Sequence, residues 1–171
     1  MLYLLDASVL ITANNLYYPV DRVPEYWEWL LHLSQAGHIK MPIELFEEVK
    51  DGPKDAEKDL LFLWIQDEEN RNALILREEV NANHVQLIVG TGYANDLTDD
   101  EVEQIGCDPF LVAHAMAGRD RCVVTTETSA PSKKRQNRKL PDVCDTFDIP
   151  WCDPFKLSRE LGFRTDWKKY V

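Results

Sequence analysis

The sequence begins with a short apolar run that stops at an acid, and this feature constrains the fold more than any other. Residues 2–5 are apolar without alternation, which is typical of a strand buried on both faces of a parallel sheet. Asp6 follows directly. Ligands of open α/β sheets bind at the carboxyl ends of the strands, so Asp6 is either a ligand-facing acid or only an N-cap for a helix over residues 9–13.

The same pattern returns later in the chain, where residues 121–126 form another apolar stretch that ends at Glu127. Between the two runs, Asp108 precedes Pro109 and a segment that is small and apolar on nearly every side. That segment predicts a central buried helix with Asp108 at its N-cap. Because parallel strands end at one edge of a sheet, we expect Asp6, Asp108 and Glu127 to lie close together.

The remaining patterns alternate between helices and short strands, which indicates an α/β fold in one domain over residues 1–171. Apolar residues at helical spacing predict further helices over residues 24–36, 42–52, 55–69, 80–89, 97–105, 141–147 and 154–161. Short apolar runs predict strands over residues 38–41 and 149–152, while residues 73–77 fit either strand or helix. We expect a loop at 14–21, a turn at 90–92, a basic loop at 128–138 and a tail at 163–171. The aromatic side chains of the helix that begins at Pro24 are expected to pack in the core rather than to stack on bases.

The charge of the chain limits its partners. A formal net charge of -11 argues against broad electrostatic adhesion to nucleic acid or to an anionic membrane. Contact with a polyanion would have to be local or assisted by a metal. One stretch, residues 133–139, carries five positive charges. It is either a solvated loop or a clamp for a phosphate backbone formed by Lys133, Lys134, Arg135 and Arg138.

No stretch has the length and apolar character of a membrane span or a secretory signal, so we expect a cytoplasmic protein that does not contact a membrane. The four cysteines show no CxxC pairing and no histidine at zinc-finger spacing, so we expect reduced and mostly buried thiols. His114 is expected to be a core or rim histidine, because no second His or Cys lies at metal-binding spacing.

The acids are the candidates for chemistry. The strongest are Asp6, Glu48, Asp108 and Glu127, with Glu44 and Asp142 in reserve. Oxygen ligands without His or Cys suit Mg²⁺ or Mn²⁺ rather than zinc. Gathered like charges repel, so such a cluster makes physical sense mainly with divalent cations in it. Two metals there would align a water with a phosphodiester and stabilise the leaving 3′ oxygen, which predicts a nuclease.

Four segments together resemble the PIN-domain nucleases, in that family's order and over nearly the whole chain: residues 4–10, 47–52, 108–115 and 123–127. The likeness is greatest to the DUF4411 branch, through residues 17–19, 46–49 and the basic loop that leads to 140–144. The resemblance implies a Rossmann-like three-layer α/β/α fold with a mostly parallel sheet, and Mg²⁺- or Mn²⁺-dependent endoribonuclease activity on RNA. It also implies frequent homodimers and, often, the role of toxin with a cognate antitoxin protein, as in the VapC proteins.

The resemblance assigns the three metal-binding acids to Asp6, Glu48 and Asp108. It assigns the small polar residue that follows the first acid to Ser8. Glu48 is preferred over Glu44 because it directly precedes the Val-Lys-Asp-Gly ending of its helix. Most PIN domains have Asp where this chain has Glu127, which is longer by one methylene group. Either Glu127 or Asp142 therefore completes the predicted site.

Three alternatives stay open. A metal-dependent nuclease of this fold could act on DNA or structured nucleic acid instead of single-stranded RNA. A PIN-like module that has lost catalysis could serve as a binding partner, although mutually repelling acids argue against it. Receiver and haloacid-dehalogenase-like domains also begin with a strand and an Asp, but the latter require a second Asp two residues on, where Ser8 stands.

Overall fold

A five-stranded, all-parallel sheet flanked by helices forms the molecule, in a Rossmann-like three-layer arrangement that confirms the predicted α/β fold. The computed structural model describes residues 1–50 and 60–171. Its strands are β1 (Leu2–Leu5), β2 (Ile39–Pro42), β3 (Ile75–Leu76), β4 (Arg121–Val124) and β5 (Trp151–Cys152). Its α-helices are α1 (Ala7–Thr12), α2 (Pro24–Gln35), α3 (Ile43–Lys50), α4 (Leu60–Gln66), α5 (Glu68–Leu74), α6 (Ala82–Leu87), α7 (Asp99–Ile105), α8 (Asp108–Met116), α9 (Leu140–Thr146) and α10 (Pro154–Glu160).

The strand order β3-β2-β1-β4-β5 places β1 at the centre, where the direction of strand addition reverses. Leu5 of β1 is paired with Val124 of β4, so these two strands end at the same level. The Asp6 amide continues the pairing by donating to the carbonyl of Val124 at 2.9 Å. Such a reversal opens a crevice beyond the carboxyl ends of the strands, which is where α/β proteins bind their ligands.

The two central strands are almost completely buried. Leu4 and Leu5 of β1 and Val123 and Val124 of β4 are fully buried, as expected for interior parallel strands. Helix α8 is buried through most of its length, which confirms the prediction from its apolar sequence. His114 of α8 is 2% exposed and is therefore the buried histidine that the sequence predicts.

Two predicted irregular segments continue as π-helical turns. Ala13–Tyr17 extends α1 into the predicted loop, and Ile88–Tyr93 extends α6 through the predicted turn at residues 90–92. A Cβ atom added to Gly92 would lie 3.0 Å from side-chain atoms of Val143 and Phe147. The glycine therefore allows this turn to approach the α9 region closely, which a pattern of turn residues does not reveal.

The predicted helix over residues 55–69 is interrupted in its described part, and residues 51–59 lie outside the described residues. Asp67 ends it, because its carboxylate accepts hydrogen bonds from the amides of Glu69 and Asn70 and so caps a new helix, α5. The unassigned residues 73–77 divide between the end of α5 and β3. Pro42, predicted to start a helix, instead ends β2.

The C-terminal segment is packed, and the prediction of a tail was wrong. Trp167 is 8% exposed within a 3-10 turn, Trp167–Tyr170, and its indole N–H donates to the Glu25 carbonyl at 3.0 Å. The ring of Phe163 contacts Tyr26 and Trp29 of α2. Those α2 aromatics are buried, which confirms their predicted role in the core.

The cysteines are all free thiols, as predicted from their spacing; Cys122, Cys144 and Cys152 are buried and Cys107 is half-buried. Among residues 1–50 and 60–171, no helix combines the length and apolar character needed to cross a membrane.

Candidate functional site

Asp6 lies buried at the end of β1, with its carboxylate fixed by two hydroxyl groups. Its Oδ2 accepts hydrogen bonds from Ser8 Oγ at 2.5 Å and from Thr125 Oγ1 at 2.8 Å. Burial raises the pKa of Asp6, and the two hydrogen bonds act in the opposite direction. Asp6 also occupies the N-cap position of α1, and the backbone of Ser8 in the first turn lies close enough to its carboxylate to help lower the pKa of Asp6.

Asp108 lies at the first residue of α8, one position later than predicted, since Cys107 is the N-cap. The hydroxyl of Tyr93 lies 3.3 Å from its Oδ2 and donates a hydrogen bond to it. The pKa of Asp108 is raised to about 8, first because the carboxyl is removed from water and then because of the charges of Asp6, Glu127 and Glu48. These acids, which come from four separated segments, are therefore close enough to act on one another.

Glu48 and Glu44 share one side of α3 but have different surroundings. Glu48 is an exposed residue, but its carboxyl group is partly removed from water. This desolvation, and then the charge of Asp6, raise the pKa of Glu48. The Glu44 Oε2 atom instead lies 3.5 Å from Nε2 of the buried His114. Burial lowers the pKa of His114, and the charge of Glu44 opposes that shift. Glu48 thus faces Asp6, whereas Glu44 faces the α8 histidine.

Glu127 stands three residues beyond β4, and donors from the start of α9 bind both of its oxygens. The Lys139 ammonium lies 2.6 Å from Oε1, and the Leu140 amide lies 2.8 Å from Oε2. The Glu127 amide donates to Thr125 Oγ1 at 3.1 Å, and the Thr126 amide donates to Ser8 Oγ at 3.3 Å. The backbone after β4 is therefore tied to the same hydroxyls that hold Asp6.

Asp142, the other acid predicted to complete the site, follows the basic loop and binds residues at the start of that loop. Its Oδ1 accepts from Ser129 Oγ at 2.5 Å, and its Oδ2 accepts from the Ala130 amide at 2.8 Å. Both oxygens are thus occupied by the segment that follows Glu127.

The basic loop divides into fixed and free cations. Arg135 donates to Glu101 at 2.7–2.8 Å and to Asp96 at 2.6 Å. Arg138 donates to the backbone carbonyls of Gly92 and Asp142. The Lys133 and Lys134 side chains are exposed, and their ammonium groups make no hydrogen bond or ion pair within the described chain. A surface cavity of about 490 Å³ lies here, lined by Tyr93, Pro131, Lys134, Arg135, Arg138, Asp142, Asp145 and Thr146.

Three residues of the site were not predicted from the sequence. Thr125 is fully buried at the end of an apolar strand, and a hydroxyl at such a position is a signal that could have identified it. Lys139 was counted only as one charge in a basic run. Tyr93 follows the glycines of the predicted turn, and no sequence signal connects it with Asp108.

The donor set is made of carboxylates, which suits Mg²⁺ or Mn²⁺. No three His, Cys, Asp or Glu side chains in residues 1–50 and 60–171 are grouped tightly enough to hold a metal ion by themselves. Mg²⁺ usually binds proteins through one or two carboxylates and keeps several waters. Burial is the largest cause of the raised pKa of Glu48 and of Asp108, and the negative charge of Asp6 raises both further. A bound cation would offset both effects, so these carboxylates fit such an ion.

The model of the family described as a domain of unknown function, DUF4411, matches residues 3–165. No curated protein and no solved structure matches the chain significantly.

Proposed function

The chain belongs to the DUF4411 family, and we propose that it is a Mg²⁺- or Mn²⁺-dependent endoribonuclease. The observation that carries the proposal is the convergence of Asp6, Glu48, Asp108 and Glu127 at the switch point of the sheet, where the pKa of Asp108 is raised to about 8. Like charges gathered in a crevice are costly without a cation. Carboxyl groups whose pKa values are shifted by burial and by neighbouring charges are typical of functional sites.

In this proposal, Asp6, Glu48 and Asp108 would hold the metal, one or two of them directly and the rest through its water ligands, since no three of the described side chains are grouped tightly enough to bind it alone. A bound ion would make a water molecule a stronger nucleophile and stabilise charge on the leaving 3′ oxygen. Ser8 and Thr125 keep the Asp6 carboxylate in one orientation through their hydroxyl groups. Tyr93 does the same for Asp108. Such second contacts are needed because a ligand that can rotate binds a metal weakly.

The proposed substrate is single-stranded RNA, which would contact only a small area of the protein surface. The chain carries a net charge of -11, so its overall field repels a polyanion. Lys133 and Lys134 are exposed, and Lys134 lines the cavity, so both are free to contact phosphate groups. Arg135 and Arg138 are committed to bonds inside the protein, and we propose that they shape the loop.

The resemblance to PIN-domain nucleases extends the proposal to a biological role. We propose that the protein is the toxin of a toxin–antitoxin pair and that it forms a homodimer. Induced expression of the wild type in bacteria should then arrest growth, whereas Asp108→Asn should not. Light scattering at several concentrations measures the oligomeric state.

The experiment that tests the activity is cleavage of a labelled single-stranded RNA by the purified protein. We expect cleavage with Mn²⁺, none with EDTA, and none by Asp6→Asn or Asp108→Asn. Asp21→Asn, which neutralises an exposed acid whose described ion pair is with Arg22 and not with a residue of the site, is the matched control and should cleave at the wild-type rate. Thermal unfolding of each variant verifies that the fold is kept. Full activity in Asp6→Asn or Asp108→Asn would contradict the assignment.

The same assay separates the alternatives. Parallel reactions with single-stranded DNA, duplex DNA and hairpin RNA test for a nuclease of different specificity. If none of these nucleic acids is cleaved but calorimetry shows that Mn²⁺ binds, the protein is best explained as an enzyme with a narrow substrate range. If neither cleavage nor Mn²⁺ binding occurs, the chain is a PIN-like binding module.

A further inference from the structure

One lysine is built into the acidic site. The Nζ atom of Lys139 lies 2.6 Å from Glu127 Oε1, and the amide of the next residue, Leu140, lies 2.8 Å from Glu127 Oε2. The carboxylate is therefore gripped at both oxygens by consecutive residues. Among the described residues, Lys139 is the one basic side chain that a hydrogen bond or ion pair joins to Asp6, Glu48, Asp108 or Glu127.

This ammonium group is charged and reachable. The bond to Glu127 raises the pKa of Lys139, with smaller contributions from the charges of Glu127 and Asp108, so Asp108 is also near. The side chains of Lys139 and Glu127 are 39% and 29% exposed. An ammonium group has three donors, and the bond to Glu127 uses one of them. Two N–H groups therefore remain for a ligand that enters the crevice.

The arrangement is unfavourable for a second metal ion on Glu127. A Mg²⁺ ligand lies about 2.1 Å from its ion, so an ion on Oε1 would stand close to the positive charge that already binds this oxygen. Two cations at such separation repel strongly in a partly desolvated crevice. Glu127 is thus better suited to hold Lys139 than to hold a metal.

We propose that Lys139 binds a non-bridging oxygen of the scissile phosphodiester, that Glu127 positions it, and that the chain uses one divalent cation where related two-metal sites use two. This inference rests on the proposed nuclease function. The negative charge of the phosphoryl group grows as the water attacks, and a fixed ammonium group stabilises that charge. Lys139 is therefore a catalytic residue in this account, and Glu127 is a positioning residue.

The first test is the number of Mn²⁺ ions bound to the full chain, measured by calorimetry without RNA. We expect one ion in the wild type and one ion, with affinity changed less than about 3-fold, in Glu127→Gln and Lys139→Met. Asp108→Asn should lose the ion. Two ions in the wild type, with one lost in Glu127→Gln, would overturn the inference while leaving the proposed function intact. No ion in the wild type would overturn the inference, and no ion together with no cleavage of RNA would overturn both.

The second test is the single-turnover cleavage rate at saturating Mn²⁺. Lys139→Met should lower it at least about 100-fold, as for the loss of an electrostatic catalytic group, while Lys139→Arg should restore part of the loss. Glu127→Gln should lower the rate less than Lys139→Met, because the lysine is then present but poorly placed. Lys169→Met, at an exposed lysine of the C-terminal segment, is the control. If Lys139→Met cleaves at the wild-type rate while Asp108→Asn does not cleave, the proposed role of Lys139 is contradicted and the proposed nuclease function is not.

Discussion

The hydroxyl group of Thr125 donates a hydrogen bond to Asp6 at 2.8 Å across the paired ends of β4 and β1. The same oxygen accepts a hydrogen bond from the backbone amide of Glu127 at 3.1 Å. One buried side chain thus sets both the orientation of the central acid and the path of the backbone that carries the last one.

Replacing Thr125 with Val keeps the shape of the side chain and removes both bonds. A buried carboxylate and a backbone amide would lose partners, which typically costs about 1–3 kcal/mol of unfolding free energy. Denaturant unfolding measures the loss. Thr126→Val is the matched control, because the described bond of Thr126 to Ser8 comes from its backbone amide. Equal effects of the two substitutions would show that the Thr125 hydroxyl has no special role.

The metal-free protein should become less stable as the pH rises. The pKa of Asp108 is about 8 in the folded protein and near 3.8 when exposed, so the folded state retains a proton that the unfolded state has released. Stability therefore falls progressively between about pH 4 and pH 8. Asp108→Asn removes this penalty and should raise the unfolding free energy at pH 9 by on the order of 2 kcal/mol, less than the full shift because the side chain is partly exposed.

The measurement is urea unfolding of both proteins in EDTA at pH 4 and pH 9. At pH 4 the Asp108 carboxyl is neutral in the folded state and only about half ionised in the unfolded state, so most of the penalty is absent and the two proteins should differ little. A stabilisation by Asp108→Asn that is as large at pH 4 as at pH 9 would contradict the electrostatic explanation.

Mn²⁺ affinity should increase with pH for the same reason. A metal ion can bind the Asp108 carboxylate only after its proton has left, so binding below the pKa of about 8 releases a proton. Calorimetry at pH 7 in two buffers with different ionisation enthalpies measures that proton. The expected result is close to one proton per ion, and binding heats that do not depend on the buffer would exclude this coupling.

The two free lysines of the basic loop should account for much of its contact with RNA. Replacing Lys133 and Lys134 together with Gln should weaken RNA binding and flatten its dependence on salt, by about 0.7 in the log–log slope for each lost phosphate contact. Fluorescence anisotropy in Ca²⁺ at several salt concentrations measures this slope. Lys168→Gln, at an exposed lysine of the C-terminal segment, is the control, and an unchanged slope in the double variant would make the loop a solvated surface.

The packed C-terminal segment should contribute to stability. Trp167→Ala removes a large buried side chain and its hydrogen bond to Glu25, which should cost about 3 kcal/mol. Tyr170→Ala changes a residue that is 64% exposed and should cost less than about 1 kcal/mol. Thermal unfolding compares them, and similar losses in the two variants would mean that the segment is not docked in solution.

Local patterns were sufficient to predict most of the sheet and the principal acids. The strand at Leu2–Leu5 and the buried helix that begins near Asp108 are predicted by continuous apolar character, because both elements lie inside the fold. The packed position of Trp167 was missed because tertiary contacts with α2, rather than any periodicity, hold it there. Gly92 was assigned to a turn for the same reason, since its close neighbours come from the α9 region.

The site itself was less predictable than the fold. A sequence shows that Asp6 and Glu127 each follow a strand, but it does not show which side chains hold them. Thr125 and Lys139 acquire their roles from strand pairing and from the return of the chain at α9, which bring together residues that local pattern does not relate. The distinct surroundings of Glu44 and Glu48 likewise depend on how α3 packs beside α8.

The most direct measurement of the central claim is the chemistry of the RNA ends formed by the wild type in Mn²⁺. Attack by an activated water with a leaving 3′ oxygen predicts a 5′-phosphate on one product and a 3′-hydroxyl on the other. These ends should appear with the wild type and be absent with Asp108→Asn. Products that carry 2′,3′-cyclic phosphates, or identical products from Asp108→Asn, would show that the carboxylate site does not hydrolyse the RNA and would contradict the account.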